Sequence, residues 1–330
     1  MAEKYDVAGL GNAIVDVIAA TDDAFLLKHN VAKGVMTLID EYRAHQLLDS
    51  LPDGREVAGG SAANTMAGIA SLGGTGLFVG KVNADRLGES FADSLKQIGV
   101  HFDTRMAEGG PQTACCLIAV TPDGQRSMNT YLGACRELTP EDIDEDAIAA
   151  SAVLYIEGYL WDEPSAKAAI ERAMAAAKRA GRKVAFTLSD PFCVERWRSE
   201  FRELLDTRLD ILFANEAEAK ALFEVDSFDE VLQAMRPWKG IAALTRSEKG
   251  CVVVKGSEVH VLDAAPVAKV VDTTGAGDQY AAGFLYGLTR DKPLAVCGKL
   301  GALAAAEVIS HYGARPEVHL KALAADAGLI

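Results

Sequence analysis

The run VVDTTGAGDQYAAGFLYGL, Val270 to Leu288, decides how this chain is read. Its apolar residues Ala281, Phe284, Leu285 and Leu288 recur at helical spacing, so a helix begins at about Asp278 and Gly275, Ala276 and Gly277 form its entrance. Backbone N–H groups at a helix start lack intrahelical partners and carry partial positive charge, which makes an anion hole without any side chain. The small residues let a phosphoryl group approach the backbone closely. A P-loop would supply a lysine here, and this sequence supplies an aspartate. A carboxylate beside an anion hole is suited to take the proton of an alcohol as that alcohol attacks a phosphoryl group. Taken by itself, Asp278 reads equally as a first-turn acid serving only the helix dipole.

The surrounding chain has the length of one large α/β domain or two smaller ones at 330 residues. A formal charge of -14 argues against nucleic acid and against an anionic membrane surface, both of which call for Lys and Arg. The start of the sequence lacks the pattern of a secretory signal, and no apolar run has bilayer-spanning length. Cys115, Cys116, Cys135, Cys193, Cys251 and Cys297 form no C-x-x-C pair and no Cys/His metal spacing. They read as buried free thiols of a cytoplasmic protein.

Short Val- and Ile-rich runs alternate with Ala-rich helical stretches, the pattern of a mostly parallel sheet flanked by helices. Core strands are expected at Val7–Leu10, Leu77–Val79, Ala152–Ile156, Val184–Leu188, Ile211–Ala214, Ala242–Thr245 and Cys251–Lys255. The plainest helices are Ser61–Ser71, Pro164–Ala180, Glu216–Phe223 and Gln279–Leu288. Such sheets bind ligands beyond the carboxyl ends of their strands. Two segments, approximately 16–39 and 100–131, break the alternation with strand-like patterning and a turn signal at Pro122-Asp123-Gly124. They are expected to form a small β subdomain that acts as a lid on a single domain spanning 1–330. A β edge with no moving part is the plainer alternative.

DTTGAGD together with AGGSAANTMAGIASLGG, Ala58 to Gly74, resembles the two signatures of the ribokinase-like (PfkB) sugar and nucleoside kinases, and the resemblance runs over nearly the whole chain. It implies a ribokinase-like α/β fold, with Asp278 as catalytic base and Gly275, Ala276 and Gly277 as the anion hole. It implies that Gly60, Ser61 and Asn64 line a sugar pocket. AGLGNAIVD, Ala8 to Asp16, has no third glycine where a dinucleotide fingerprint needs one; Asn12 and Asp16 instead match the piece whose Asp binds two sugar hydroxyls. The same resemblance gives Asn215 and Glu218 the ordering of Mg²⁺ through water, and Thr245, Arg246 and Gly250 the ATP ribose and phosphates. Arg126 would reach the transferred phosphate. On the residues alone each has a plainer role too: Asn215 as a helix cap, Thr245 as a strand end, Arg126 as a solvated hairpin arginine, the Ala58–Gly74 glycines as close packing.

GLGNAIVDV, YIEGYLWD and TLSDPF resemble the adenosine kinases within the family, which implies a nucleoside acceptor. Met36, Leu38, Tyr159, Leu160 and Trp161 are candidates for an apolar wall against a purine, and a hydrophobic core could use every one of them. The expectation is therefore an ATP- and Mg²⁺-dependent 5′-kinase of adenosine, with a monovalent cation such as K⁺ in some family members, acting on small molecules as a monomer or homodimer. Phosphorylation of inosine, guanosine, ribose or fructose is the alternative. A sensor that binds nucleosides without turnover is the reading from another class. His311 in SHYGARP, Ser310 to Pro316, reads as structural.

Overall fold

A computed structural model describes residues 4–52 and 54–330. Among the described residues the strands are β1 (Tyr5–Leu10), β2 (Ile14–Ala20), β3 (Met36–Leu38), β4 (Arg55–Gly59), β5 (Gly76–Val79), β6 (Ala114–Val120), β7 (Arg126–Tyr131), β8 (Ser151–Glu157), β9 (Lys183–Thr187), β10 (Ile211–Asn215), β11 (Ile241–Thr245), β12 (Cys251–Lys255) and β13 (Glu258–Leu262). Eight of them form a sheet in the order β13-β12-β11-β10-β9-β8-β1-β5. All of its pairings are parallel except β11–β12 and β12–β13. The seven strands expected from the Val- and Ile-rich runs are all present. β13 was not expected, because Val259 and Val261 point into solvent at an exposed edge and leave no run of buried residues to read.

The order in which parallel strands are added reverses at β1, which has β5 on one side and β8 on the other. This is the topological switch point, where the crevice beyond the strand ends opens. Two helices frame it. Ser61–Ser71 starts at Gly60, whose φ of 92° and contact with the Asn12 carbonyl exclude a side chain. Ala276–Leu288 starts two residues earlier than its apolar spacing implied, because Gly275 caps it in the left-handed region at φ 79°. The helices touch at Gly68, where a Cβ would overlap Gln279 and Ala282. The run of small residues after Gly60 thus does serve close packing.

A second sheet, β3-β7-β6-β2-β4, is antiparallel at β2–β4 and β6–β7. It differs from the two-segment expectation in three respects. It recruits Arg55–Gly59 as β4. One face is covered by the short helices Asp23–Lys28 and Glu41–Ser50, capped by Asp22 and Asp40, where no helical pattern was read in 16–39. Residues 101–107 run instead along the open edge of the main sheet, with His101 bridging Leu77 and Ala107 bridging Asn83, because an edge strand's backbone groups need partners. The hairpin at Pro122–Gly124 joins β6 to β7 as its turn signal implied, with Thr121 and Asp123 closing the turn.

The faces of this sheet are unlike. Val15, Val17, Ala19, Cys115, Leu117 and Ala119 point toward the covering helices and are buried with Leu26 and Leu47. The register puts Asp16 on the other face, beside Cys116 and Val57, with Thr130, Met128, Met36 and Leu38 continuing it. That face looks onto the glycine loop.

Candidate active site

Asp278 occupies the first turn of its helix, and both of its oxygens are held. Ser61 Oγ donates to Oδ1 at 2.6 Å and Asn64 Nδ2 donates to Oδ2 at 3.1 Å. Ser61 and Asn64 stand three apart on one helix and so share a face. Desolvation raises the Asp278 carboxyl above its ordinary range, against the two hydrogen bonds that favour its charged form. The result is a carboxylate fixed in position and more basic than in water.

At the helix start, the Ala276 N–H is taken by a turn to the Thr273 carbonyl at 3.2 Å. The N–H groups of Gly275, Gly277 and Asp278 have no partner among the described residues. The open donors are thus Gly275 and Gly277, joined by Asp278 itself, while Ala276 is engaged. A Cβ on Gly275 would lie 2.6 Å from Ala314, whereas Gly277 faces open space. Gly275 is demanded by packing and Gly277 leaves room for an incoming group.

Asp16 faces this loop from β2. Burial raises its carboxyl to about 6, countered by Arg315 and Arg126 and reinforced by Asp278. Arg126 on β7 is ion-paired with Asp272, the first aspartate of DTTGAGD, so it is neither a solvated hairpin side chain nor free over the cleft. Burial would push Asp272 up, but hydrogen bonds from Thr274 and Gly313, with Arg126 alongside, hold it below the usual carboxylate range. The second sheet is thereby fastened to the foot of the glycine loop.

Glu157, at the carboxyl end of β8, lies inside the YIEGYLWD stretch but was given no role from the sequence. It is 1 % exposed, and its carboxylate accepts from the Asn12 N–H at 2.8 Å and the Ala62 N–H at 2.9 Å. Burial raises it to about 7 against those bonds. It ties the β1–β2 turn, and so Asn12, to the start of the Ser61 helix. The available signal was a charged residue closing the otherwise apolar strand SAVLYIE.

Asn215 and Glu218 lie beyond β10, and Thr245, Arg246 and Gly250 beyond the neighbouring β11, on the same edge of the sheet as Asn12 and Glu157. Asn215 and Glu218 form a reciprocal capping box: Asn215 N–H and Nδ2 donate to Glu218 at 2.9 and 2.6 Å, and Glu218 N–H donates to Asn215 Oδ1 at 2.9 Å. Glu218 is 5 % exposed, and burial raises it to about 7 against the Asn215 backbone bond. Among the described residues no group of three His, Cys, Asp or Glu could enclose a metal ion. This donor set suits Mg²⁺ that keeps its waters and meets Glu218 through one of them. Arg246 is turned onto the helix that follows β10, bonded to Glu216 at 2.9 Å and lying over the Phe228 ring. Gly250, at φ 80°, could carry no side chain against the Leu262 carbonyl.

Of the apolar candidates, Met36 and Leu38 share Asp16's face and are 55 % and 61 % exposed. Tyr159 is half-buried, its hydroxyl on the Ser189 carbonyl at 3.3 Å. Leu160 and Trp161 are excluded from such a wall. They are buried in the opposite core layer, where Trp161 meets Phe186 and Phe201 edge-on and its Nε1 donates to Glu200 at 2.7 Å. All six cysteines are buried and free, and His311 leans on Glu307 at 3.2 Å.

The profile of the pfkB family of carbohydrate kinases matches residues 33–320. The chain belongs to that family: it is an ATP-dependent kinase of ribokinase-like fold whose acceptor is an alcohol group. It is similar to the adenosine kinase of Sinorhizobium meliloti, with 52 % identity, 98 % of this chain and 99 % of the other covered and a TM-score of 0.90. It is also similar to a probable sugar kinase of Rhizobium etli, at 48 % identity, 99 % and 100 % coverage and a TM-score of 0.91. The adenosine kinase of Saccharomyces cerevisiae is 28 % identical over 92 % of this chain and 94 % of its own. No helix among the described residues is long and apolar enough to cross a membrane.

Proposed function

We propose that this kinase transfers the γ-phosphoryl group of ATP to the 5′-hydroxyl of adenosine. The observation that carries the reading is Asp278, held by Ser61 and Asn64 beside the unpaired N–H groups of the glycine loop and facing Asp16. Asp278 takes the hydroxyl proton as the acceptor oxygen bonds to phosphorus and the bond from phosphorus to the β–γ bridging oxygen breaks, releasing ADP. The Gly275, Gly277 and Asp278 amides, at the positive end of the helix, stabilise the charge on the transferring group. Asp16 and Asn64, with Asn12 behind them, hold the ribose hydroxyls. Glu218, at the start of its helix, would face Mg²⁺ bound with ATP, whose charge would offset that of the phosphates. The second sheet serves as the lid that keeps water from competing for the phosphate, with Arg126 exchanging Asp272 for the phosphate as ATP arrives.

Adenosine rather than a free sugar is supported by the strip of Met36, Leu38, Met128 and Ile118 around Asp16, which offers a purine an apolar bed next to a ribose-binding carboxylate. The similarity to the Sinorhizobium meliloti adenosine kinase supports it too. A sugar acceptor is the second reading, favoured by the likeness to the Rhizobium etli protein. ADP release from MgATP is measured with adenosine, inosine, guanosine, ribose and fructose, beside Asp278→Asn. Turnover on adenosine that the mutant loses is expected. Turnover on a free sugar alone would discard the purine bed, and silence with every acceptor, with adenosine still bound, would favour the sensor.

A further inference from the structure

One charged group at the centre of the site has no part in the mechanism above. Arg315, in the loop after the last long helix, sends its guanidinium between the Ser61 helix and the helix Arg86–Gln97. Its Nε donates to Asn64 Oδ1 at 3.4 Å and its Nη1 to Ser94 Oγ at 3.2 Å, while Nη2 is buried with no partner. No carboxylate lies within ion-pairing distance among the described residues, although Asp16 is close enough to act on it through space. A buried cation without a paired carboxylate is costly, and such departures from good pairing concentrate at functional sites.

The backbone on either side fixes where this side chain stands. Gly313 N–H donates to Asp272 at 3.1 Å, and the Ala314 carbonyl accepts from Gln279 Nε2 at 2.9 Å. The same Gln279 nitrogen also reaches the Asn64 carbonyl at 2.9 Å. Three successive residues, 313 to 315, therefore touch the glycine loop, its helix and the Ser61 helix in turn. A guanidinium has donors only, so the Asn64 atom that faces it must be the amide oxygen. The other end of that amide is then its NH₂, and this is the group that donates to Asp278.

We propose that Arg315 is a positioning residue of the acceptor site: it locks the Asn64 amide in the orientation that donates to Asp278, and it supplies positive charge on the side of the site where Asp16 stands. The inference rests on the reading of Asp278 as base and Asp16 as acceptor ligand. The groups facing Asp16 are Arg315 from the late loop, Arg126 from β7, Asp278 from the glycine-loop helix, and the thiol of Cys116 on the adjacent strand. Arg126 is already engaged by Asp272, which leaves Arg315 as the nearest uncommitted positive charge. Removing it moves Asp16 toward its protonated form at higher pH.

The test is steady-state kinetics of Arg315→Gln and Arg315→Lys with adenosine and MgATP from pH 5 to 9, with Tm recorded for each. Arg315→Gln loses both roles, and kcat/KM for adenosine falls about 100-fold while KM for MgATP stays within about threefold. Its acidic limb moves up by about one pH unit, because Asp16 loses a positive neighbour. Arg315→Lys keeps the charge but not the planar fork, so the limb stays in place and kcat falls about tenfold. A loss that follows Tm alone, with the limb unmoved in Arg315→Gln, overturns the proposal, as does a limb displaced equally in Arg315→Lys. If Arg315→Gln does not fold, the Arg315→Lys pattern decides. Asp278→Asn in the same series separates the two readings: if it is dead and Arg315→Gln behaves as the parent, only the Arg315 inference falls; if it is active, both fall.

Discussion

The proposed acceptor half and the proposed nucleotide half of this cleft are built by opposite means. Around Asp278 the deciding contacts join residues far apart in the chain, with separations of 217 for Ser61–Asp278, 214 for Asn64–Asp278 and 145 for Asn12–Glu157. At Asn215 and Glu218 the contacts close over three residues, and Arg246 reaches back 30 residues to Glu216 on the neighbouring strand's helix. The first half is a set of buried carboxylates held before substrate arrives. The second is a row of locally satisfied strand ends, each stable by itself and completed by what binds between them. Preorganisation is concentrated around Asp278, the proposed base, in keeping with the cost of reorienting dipoles during reaction.

Three changes break or sharpen that contrast. The largest effect is expected from Asp278→Asn, which leaves the shape intact and removes the base. Its kcat should fall about 10³-fold, while calorimetry finds adenosine binding within a few-fold of the parent. Loss of binding in step with kcat would mean that Asp278 is a ligand of the acceptor rather than its base.

Next comes Glu157→Ala, which strands two buried N–H groups and uncouples the β1–β2 turn from the Ser61 helix. A destabilisation of about 2–4 kcal/mol is expected, from the desolvation cost of two unpaired donors, read as a lowered midpoint in denaturant titration. KM for adenosine should rise more than KM for MgATP. Equal rises would show that Glu157 supports the whole sheet edge and not the acceptor half.

The smallest effect is expected from Glu218→Gln. One capping interaction and the outer-sphere contact are lost, so KM for MgATP should rise about three- to tenfold with KM for adenosine unchanged. An adenosine KM that moves as far as that for MgATP would mean that the two halves are not separate.

The local half of this design could be read along the chain. A helix of apolar residues spaced three and four apart, a glycine run before it, N-x-x-E after a strand and seven Val- and Ile-rich strands are patterns of period two, three or four, and each appears where it was expected. The second sheet was legible as β structure but not in its extent. β3 is three exposed residues, β4 sits outside the segments that carried the alternation, and the covering helices Asp23–Lys28 and Glu41–Ser50 are short. Their helical signal is weak because few of their residues are buried.

The sequence by itself determined the class of chemistry, because an anion hole and a neighbouring carboxylate are both made within four residues, Gly275 to Asp278. It also determined the parallel core of the main sheet, whose strands are buried on both faces and must be written as apolar runs, though not its exposed edge strand β13. Only the tertiary structure decided which side chains serve that carboxylate. Glu157, Asp272 and Arg315 lie inside stretches that were read for other residues, and their partners stand elsewhere in the chain. Their roles arise when the strand end at Glu157, the loop at Arg315 and the Ser61 helix are folded against one another. There, burial strengthens each charge and makes every partner count.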